Sequence, residues 1–296
     1  DLDKKEIANF EKEIQKKYSK TIKDLTRKIE LKFGNMTEMT LLHEDRGNDE
    51  NQVQHYLDQR HALNEIYVKD KLKLFINLLL DGSGSMGAVI KGSKDKRDDI
   101  TRESIALMKI ILEKIDGIFI NIYNFTTAGS NSKLQTIQDY TGIDLDNKRK
   151  TEIIKLEGTK NLMEYEADGG TPLYASMIKM VQKLKDQQRK TNGNSSGLLF
   201  IFSDGEDSSG NRSLEETTQK MMKALERDKS IKVVLVGIED STLGRVFGQE
   251  NFVQIKNVED FTKFFLKEIE QIIDIALSQV ETVISDRKMS NYDLGL

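Results

Sequence analysis

The chain contains no cysteine. That absence excludes disulfides, thiolate zinc sites and thiol catalysis, but it sets no compartment, because a chain of this length builds a core without cross-links. Charge of one sign is also lacking. With 45 basic and 49 acidic side chains the formal charge is -4, so no global field draws nucleic acid, and neither a C-x-x-C pair nor an RNP-like signature is present. The Gly-x-x-Gly spacing of Gly84 to Gly87 has no basic residue inside it and follows an apolar run, so it does not read as a nucleic-acid clamp. Long hydrophobic runs are missing too. The longest, Leu74 to Leu80, is too short to span a bilayer and stops at Asp81, so no transmembrane segment is expected. No leader-like segment is visible, and a chain that opens on Asp1 rather than Met sets no limit on what precedes it.

What is present suits a folded protein. A hydrophobic share of 37% beside 32% charged residues in 296 positions is enough for a full core with a smaller helical part. Residues 1–70 read as a helical extension. Ile7, Phe10, Ile14, Tyr18, Ile22, Leu25, Ile29 and Phe33 recur every three or four positions, which predicts one long amphipathic helix ending at Gly34 and Asn35. Its stripe serves a coiled coil or, the preferred reading, packing within the chain. A polar loop and a second helix over Gln52 to Ile66 follow.

From Leu72 the texture alternates between buried strands and amphipathic helices. Leu72 to Leu80, Ile118 to Phe125, Leu198 to Phe202, Ile231 to Gly237 and Phe252 to Ile255 are expected strands, and Asp99 to Ile115, Leu173 to Leu184 and Ser213 to Arg227 expected helices. Leu134 to Tyr140 and Ile153 to Leu156 are weaker strand candidates. From Val258 a helix runs toward Asp286, longer than a layer helix needs, so its distal positions Ile272, Ile273, Leu277, Val280 and Ile284 require a partner, for which the N-terminal helix is the candidate. The expected fold is a three-layer, Rossmann-like α/β domain over 71–262 with a mostly parallel sheet, followed by a long C-terminal helix and tail over 263–296.

Three polar segments interrupt this pattern: Asp81-x-Ser83-x-Ser85, Gly169-Gly170-Thr171-Pro172 and Ser203-Asp204-Gly205. In an open parallel sheet the carboxyl ends of the strands share one edge, so segments far apart in sequence converge there. Hydroxyls and carboxylates are hard oxygen donors suited to a divalent ion, with magnesium first and manganese or calcium as alternatives. Two aspartates leave such an ion underneutralised if one or both act through water, which invites an anionic ligand from outside. Each piece also has a bland account, since Asp81, Ser83, Ser85, Thr171 and Asp204 are all helix-capping types. Asp168 and Glu166 would add negative charge nearby, Glu206 and Asp207 read as solvated loop residues, and Met86 as packing below the turn.

The segment from about Lys71 to Thr262 resembles a von Willebrand factor type A domain with a metal-ion-dependent adhesion site. Asp81, Ser83 and Ser85 match that family's first metal motif, Thr171 its isolated threonine, and Asp204 its distal aspartate. The resemblance implies that the serines and threonine coordinate directly in the ligand-bound state, while the aspartates act through water or exchange roles. It further implies a protein partner whose glutamate or aspartate takes the remaining position. The loops 87–98, 127–168 and 205–212 would select its surroundings. Intracellular members of the family accompany ring-shaped ATPase or metal-chelatase machinery, so a larger assembly reached through the flanking helices is the alternative.

Enzymatic readings fare worse. No Gly-x-Ser-x-Gly surrounds Ser83 or Ser85, and His43, His55 and His61 all precede the α/β segment. No phosphate-binding loop or dinucleotide fingerprint is present, and Gly92-Ser93-Lys94 lacks the rest of a phosphate cradle. Metal-assisted hydrolysis remains the least favoured alternative, because no general base accompanies the oxygen donors.

Overall fold

The computed structural model describes residues 4–44, 73–115, 117–128, 131–145, 147–190, 195–205, 207–208, 210–228, 231–239 and 242–293. The helix expected over Gln52 to Ile66, with His55 and His61, lies outside them. In chain order the elements are α1 (Lys4–Lys17), α2 (Ser19–Glu44), β1 (Lys73–Asp81), α3 (Arg97–Leu112), β2 (Ile118–Ala128), β3 (Asn131–Gln138), α4 (Lys148–Met163), α5 (Leu173–Lys190), β4 (Ser195–Ser203), α6 (Arg212–Asp228), β5 (Ile231–Ile238), α7 (Thr242–Phe247), β6 (Phe252–Ile255) and α8 (Val258–Asp293).

The strands form one sheet in the order β3-β2-β1-β4-β5-β6. Every neighbouring pair is parallel except β2 and β3, which run antiparallel at the edge. The period of two in a strand separates two cores. Leu74, Ile76, Leu78 and Leu80 of β1 point with Phe200, Phe202, Val234 and Val236 toward Ile105, Met108 and Ile111 of α3 and Phe261 and Phe265 of α8. Leu79, Leu199, Ile201, Val233 and Leu235 point the other way, onto Met177, Met180 and Val181 of α5 and Met222 and Leu225 of α6. Because both faces are covered, β1, β4 and β5 are near-continuous apolar runs. The fold is a three-layer α/β architecture with helical extensions at both ends.

The first two helices add a further tier outside α3 and α8. Ile14, Tyr18, Ile22, Leu25 and Ile29 share a core with Ile269, Ile272 and Ile273 of α8. Lys17 and Tyr18 both reach Glu103 of α3, at 2.8 and 2.7 Å, and Lys32 pairs with Asp274 of α8 at 2.8 Å. Helical hydrogen bonding runs through the α1–α2 junction, from Tyr18 N to Ile14 O and from Ile22 N to Tyr18 O, each 2.9 Å.

Several sequence expectations need correction. The N-terminal helix does not end at Gly34 and Asn35 but continues to Glu44; an interior glycine weakens a helix by only about 1 kcal/mol, and the good helix formers beyond it carry the helix on. Ile153 to Leu156 is not a strand but lies inside α4, whose first turn is capped by Asn147 Oδ1 accepting from Lys150 N at 3.1 Å. A short apolar run has no period of its own, and here Ile153 and Leu156 face solvent while Gly158, Thr159 and Leu162 are buried. The helix expected from Asp99 starts at Arg97, because the Asp99 carboxylate reaches back to Lys96 N at 3.3 Å and so occupies the third helical position, not the cap. For α6, where the sequence offers Ser213 or Asn211 as the cap, the structure selects Asn211, whose Oδ1 accepts from Ser213 N and Leu214 N at 3.1 and 3.2 Å.

Candidate functional site

Strands β1 and β4 are neighbours, and the chain crosses from β1 to one side of the sheet and from β4 to the other. Between their carboxyl ends the crossovers part and leave a crevice, the place where open α/β sheets bind ligands. The β1–β4 register pairs Leu80 with Phe202, so the next residues, Asp81 and Ser203, meet at that crevice. Ser203 Oγ donates to Asp81 Oδ2 at 2.6 Å, and Ser83 N donates to Asp81 Oδ1 at 2.9 Å. From there oxygens follow one another: Ser83 Oγ lies 3.0 Å from Ser85 Oγ, and Ser85 Oγ donates to Asp204 Oδ1 at 2.9 Å. Asp81, Ser83, Ser85 and Asp204 thus lie in one hydrogen-bonded chain.

Asp81 is fully buried. Loss of hydration raises its pKa to about 6; the hydrogen bonds from Ser203 and Ser83 oppose that rise, and the negative charge of Asp204 adds to it. Two carboxylates in one crevice therefore call for a compensating positive charge. Arg97 supplies it. Its Nη1 donates to Asp204 Oδ2 at 2.5 Å and to Ser85 O at 3.4 Å, while its Nε donates to Glu239 Oε2 at 3.1 Å.

Thr171 arrives on a different loop, and its backbone is tied to Ser208: Thr171 N donates to Ser208 Oγ at 3.0 Å and Ser208 N to Thr171 O at 2.9 Å. The loop is fastened to the β1 turn by Gly84 N to Gly169 O at 3.0 Å and Asp168 N to Gly82 O at 2.8 Å. Close approach explains the glycines. A Cβ on Gly82 would sit 3.0 Å from Phe125 O, and one on Gly169, whose φ is +109°, only 2.4 Å from Thr126 Oγ1. Tyr165 closes the floor by donating its hydroxyl to Asp81 O. Thr171 is buried beside this turn, although none of these bonds links it directly to the other four residues.

Neither a family model nor a curated protein matches the chain. Among solved structures, it is similar to manganese-loaded TRAP protein of Plasmodium vivax at 15% identity and a TM-score of 0.44, over 67% of this chain and 74% of that one. It is also similar to the SpRpn10 VWA domain at 10% identity and a TM-score of 0.45, over 65% of this chain and 94% of that one. Proximal thread matrix protein 1 of the mussel byssus gives 13% identity and a TM-score of 0.45, over 70% of this chain; the match spans about half of that protein, 48%. At such identities and scores these likenesses add nothing to what the strand order states.

Five neighbours of the site were not foreseen: Arg97, Glu239, Ser203 as the partner of Asp81, Tyr165 and Ser208. Arg97 escaped because Asp99 reads as the helix start, which leaves Arg97 in a charged loop. Glu239 follows β5 directly, and a carboxylate at the end of a buried parallel strand was the available signal. Asp207 is not merely solvated, since its Oδ1 accepts from Tyr174 N at 3.1 Å and caps α5 from another loop. Asp168 engages the site through its backbone, as Gly82 O accepts from its N and its own O accepts from Thr126 Oγ1 at 2.5 Å. Met86 is buried in the core below the turn. Among the described residues no three His, Cys, Asp or Glu side chains cluster to hold a metal, so a cation here would depend on hydroxyl donors.

Proposed function

We propose that the chain carries a protein-interaction module of the von Willebrand factor type A kind, spanning 71–262, whose contact with its partner depends on a divalent cation. The observation that supports this most is the run of hard oxygen donors at the crevice. The Ser83–Ser85 and Ser85–Asp204 oxygen separations are 3.0 and 2.9 Å. Adjacent ligands around magnesium, at about 2.0–2.1 Å from the ion, stand about 2.8–3.0 Å apart. Spacing and donor chemistry both fit. Asp81, Ser83, Ser85, Thr171 and Asp204 would hold the ion, directly or through water. A bound ion supplies positive charge that a partner's Asp or Glu carboxylate satisfies.

Binding is favoured over catalysis by the state of the two carboxylates. Asp81 accepts from Ser203 and Ser83, and Asp204 from Ser85 and Arg97, so neither is placed as a general base. A second reading, assembly through the helical ends, is favoured by the length of α8. Its 36 residues extend about 54 Å at 1.5 Å per residue, far more than the 9 residues of β1, about 30 Å, require. Among the described residues no helix is long and apolar enough to cross a membrane.

Manganese titration calorimetry tests the cation reading. The native chain is expected to bind one ion, and Ser85→Ala and Thr171→Ala to weaken binding by at least about tenfold while far-ultraviolet circular dichroism stays unchanged. Equal affinity in all three chains would remove the proposed donor set.

A further inference from the structure

We infer that Arg97 is a resident cation that competes with the metal for Asp204 and thereby sets the affinity of the site. The inference rests on the metal reading above. Its basis is that both oxygens of Asp204 are in use: Oδ1 takes the Ser85 hydroxyl at 2.9 Å, and Oδ2 takes Arg97 Nη1 at 2.5 Å. The Asp204 side chain is only 2% exposed and that of Arg97 24%, so the pair is shielded from bulk water and its attraction is poorly screened. A guanidinium keeps its charge at any accessible pH. A divalent ion drawing on Asp204 must therefore break the Arg97–Asp204 bond or accept a like charge beside it.

The other end of Arg97 is built as an anchor. Glu239 Oε2 accepts from Arg97 Nε at 3.1 Å, while Glu239 Oε1 accepts from Lys91 N at 2.8 Å. The Glu239 backbone is fixed as well: its N donates to Ile255 O at 3.1 Å, and its φ is +60°, a conformation that a non-glycine residue keeps only where its surroundings impose it. Anchored by Glu239, the guanidinium can tilt as one plane away from Asp204 and remain beside Glu239. Two outcomes follow. In the absence of metal Arg97 neutralises Asp204; when metal is bound, the freed Nη1 faces the crevice as a second positive group for an incoming carboxylate. By linkage, an acidic ligand that draws Arg97 off Asp204 raises metal affinity by the same factor as metal raises affinity for that ligand.

The test measures manganese affinity of the full chain, by the loss of the free-ion paramagnetic resonance signal, for the native protein, Arg97→Gln, Arg97→Lys and Thr171→Ala. Arg97→Gln is expected to bind about tenfold tighter or more, Arg97→Lys to fall between it and the native chain, and Thr171→Ala to bind weakly. Should Arg97→Gln fail to fold, the lysine variant alone carries the comparison, because it keeps the charge but lacks the planar fork that holds Asp204 through Nη1 and Glu239 through Nε. If manganese binds the native chain and both Arg97 variants equally, with Thr171→Ala still impaired, the metal reading stands and the competition does not. If no chain binds manganese, both fall.

Discussion

Gly169 shows how narrowly the site is built. Its φ of +109° and the 2.4 Å that would separate an added Cβ from Thr126 Oγ1 forbid a side chain there, and its carbonyl holds Gly84 in the first motif. Gly169→Ala is therefore expected to destabilise the fold by about 1–3 kcal/mol, read from the urea midpoint at constant slope. An unchanged midpoint would mean that the loop relaxes freely and does not fix the β1 turn. Asp81 offers a second test at this scale. Its folded-state pKa of about 6 lies above the ordinary 3.8, so its contribution favours folding fully below about pH 3.8 and is lost as pH rises through about 6. In chelator, the native chain should lose stability relative to Asp81→Asn across that window in a series of denaturant titrations. Parallel pH profiles would show that the buried carboxylate is not strained by its burial.

The elements differ in how far the sequence announces them. Strands covered on both faces are near-continuous apolar runs, which is why β1, β4 and β5 are legible from residues such as Leu78, Phe200 and Val234. Helix ends are less so. Asp99 reads as a start although its carboxylate serves Lys96 N from within the helix, and Gly34 reads as a stop although α2 passes through it. The same shortfall governs the site. Asp81, Ser83, Ser85, Thr171 and Asp204 stand in recognisable local strings, whereas Arg97 and Glu239 meet only because α3 and β5 are brought together, and of the two only Glu239 is marked, by its place at the end of β5. For the α2–α8 contact, Ile29→Ala and Ile272→Ala are each expected to lower stability by about 2–5 kcal/mol, since both side chains are fully buried in one core. A change below about 0.5 kcal/mol in both, the level of surface substitutions, would mean that α2 is a loosely attached appendage.

At the scale of the whole molecule, the sheet order explains why residues scattered along the chain come together. The crossovers leave β1 and β4 in opposite directions, so among the described residues no crossing connection covers the carboxyl ends of these two central strands. Asp81 and Ser203 stand at those two ends, Asp204 follows directly, and the Thr171 loop is stitched to the first turn by Gly84 and Gly169. Arg97 then offsets part of the carboxylate charge through Asp204. The central claim is that this crevice is a divalent-cation site whose donors are side-chain oxygens. Crystals of the full chain soaked in manganese, measured for anomalous scattering, test it most directly. A single anomalous peak within coordinating distance of the Ser83 and Ser85 hydroxyls, with Arg97 Nη1 withdrawn from Asp204, is the expected result; no peak there at saturating manganese, or a peak only elsewhere, would contradict the account.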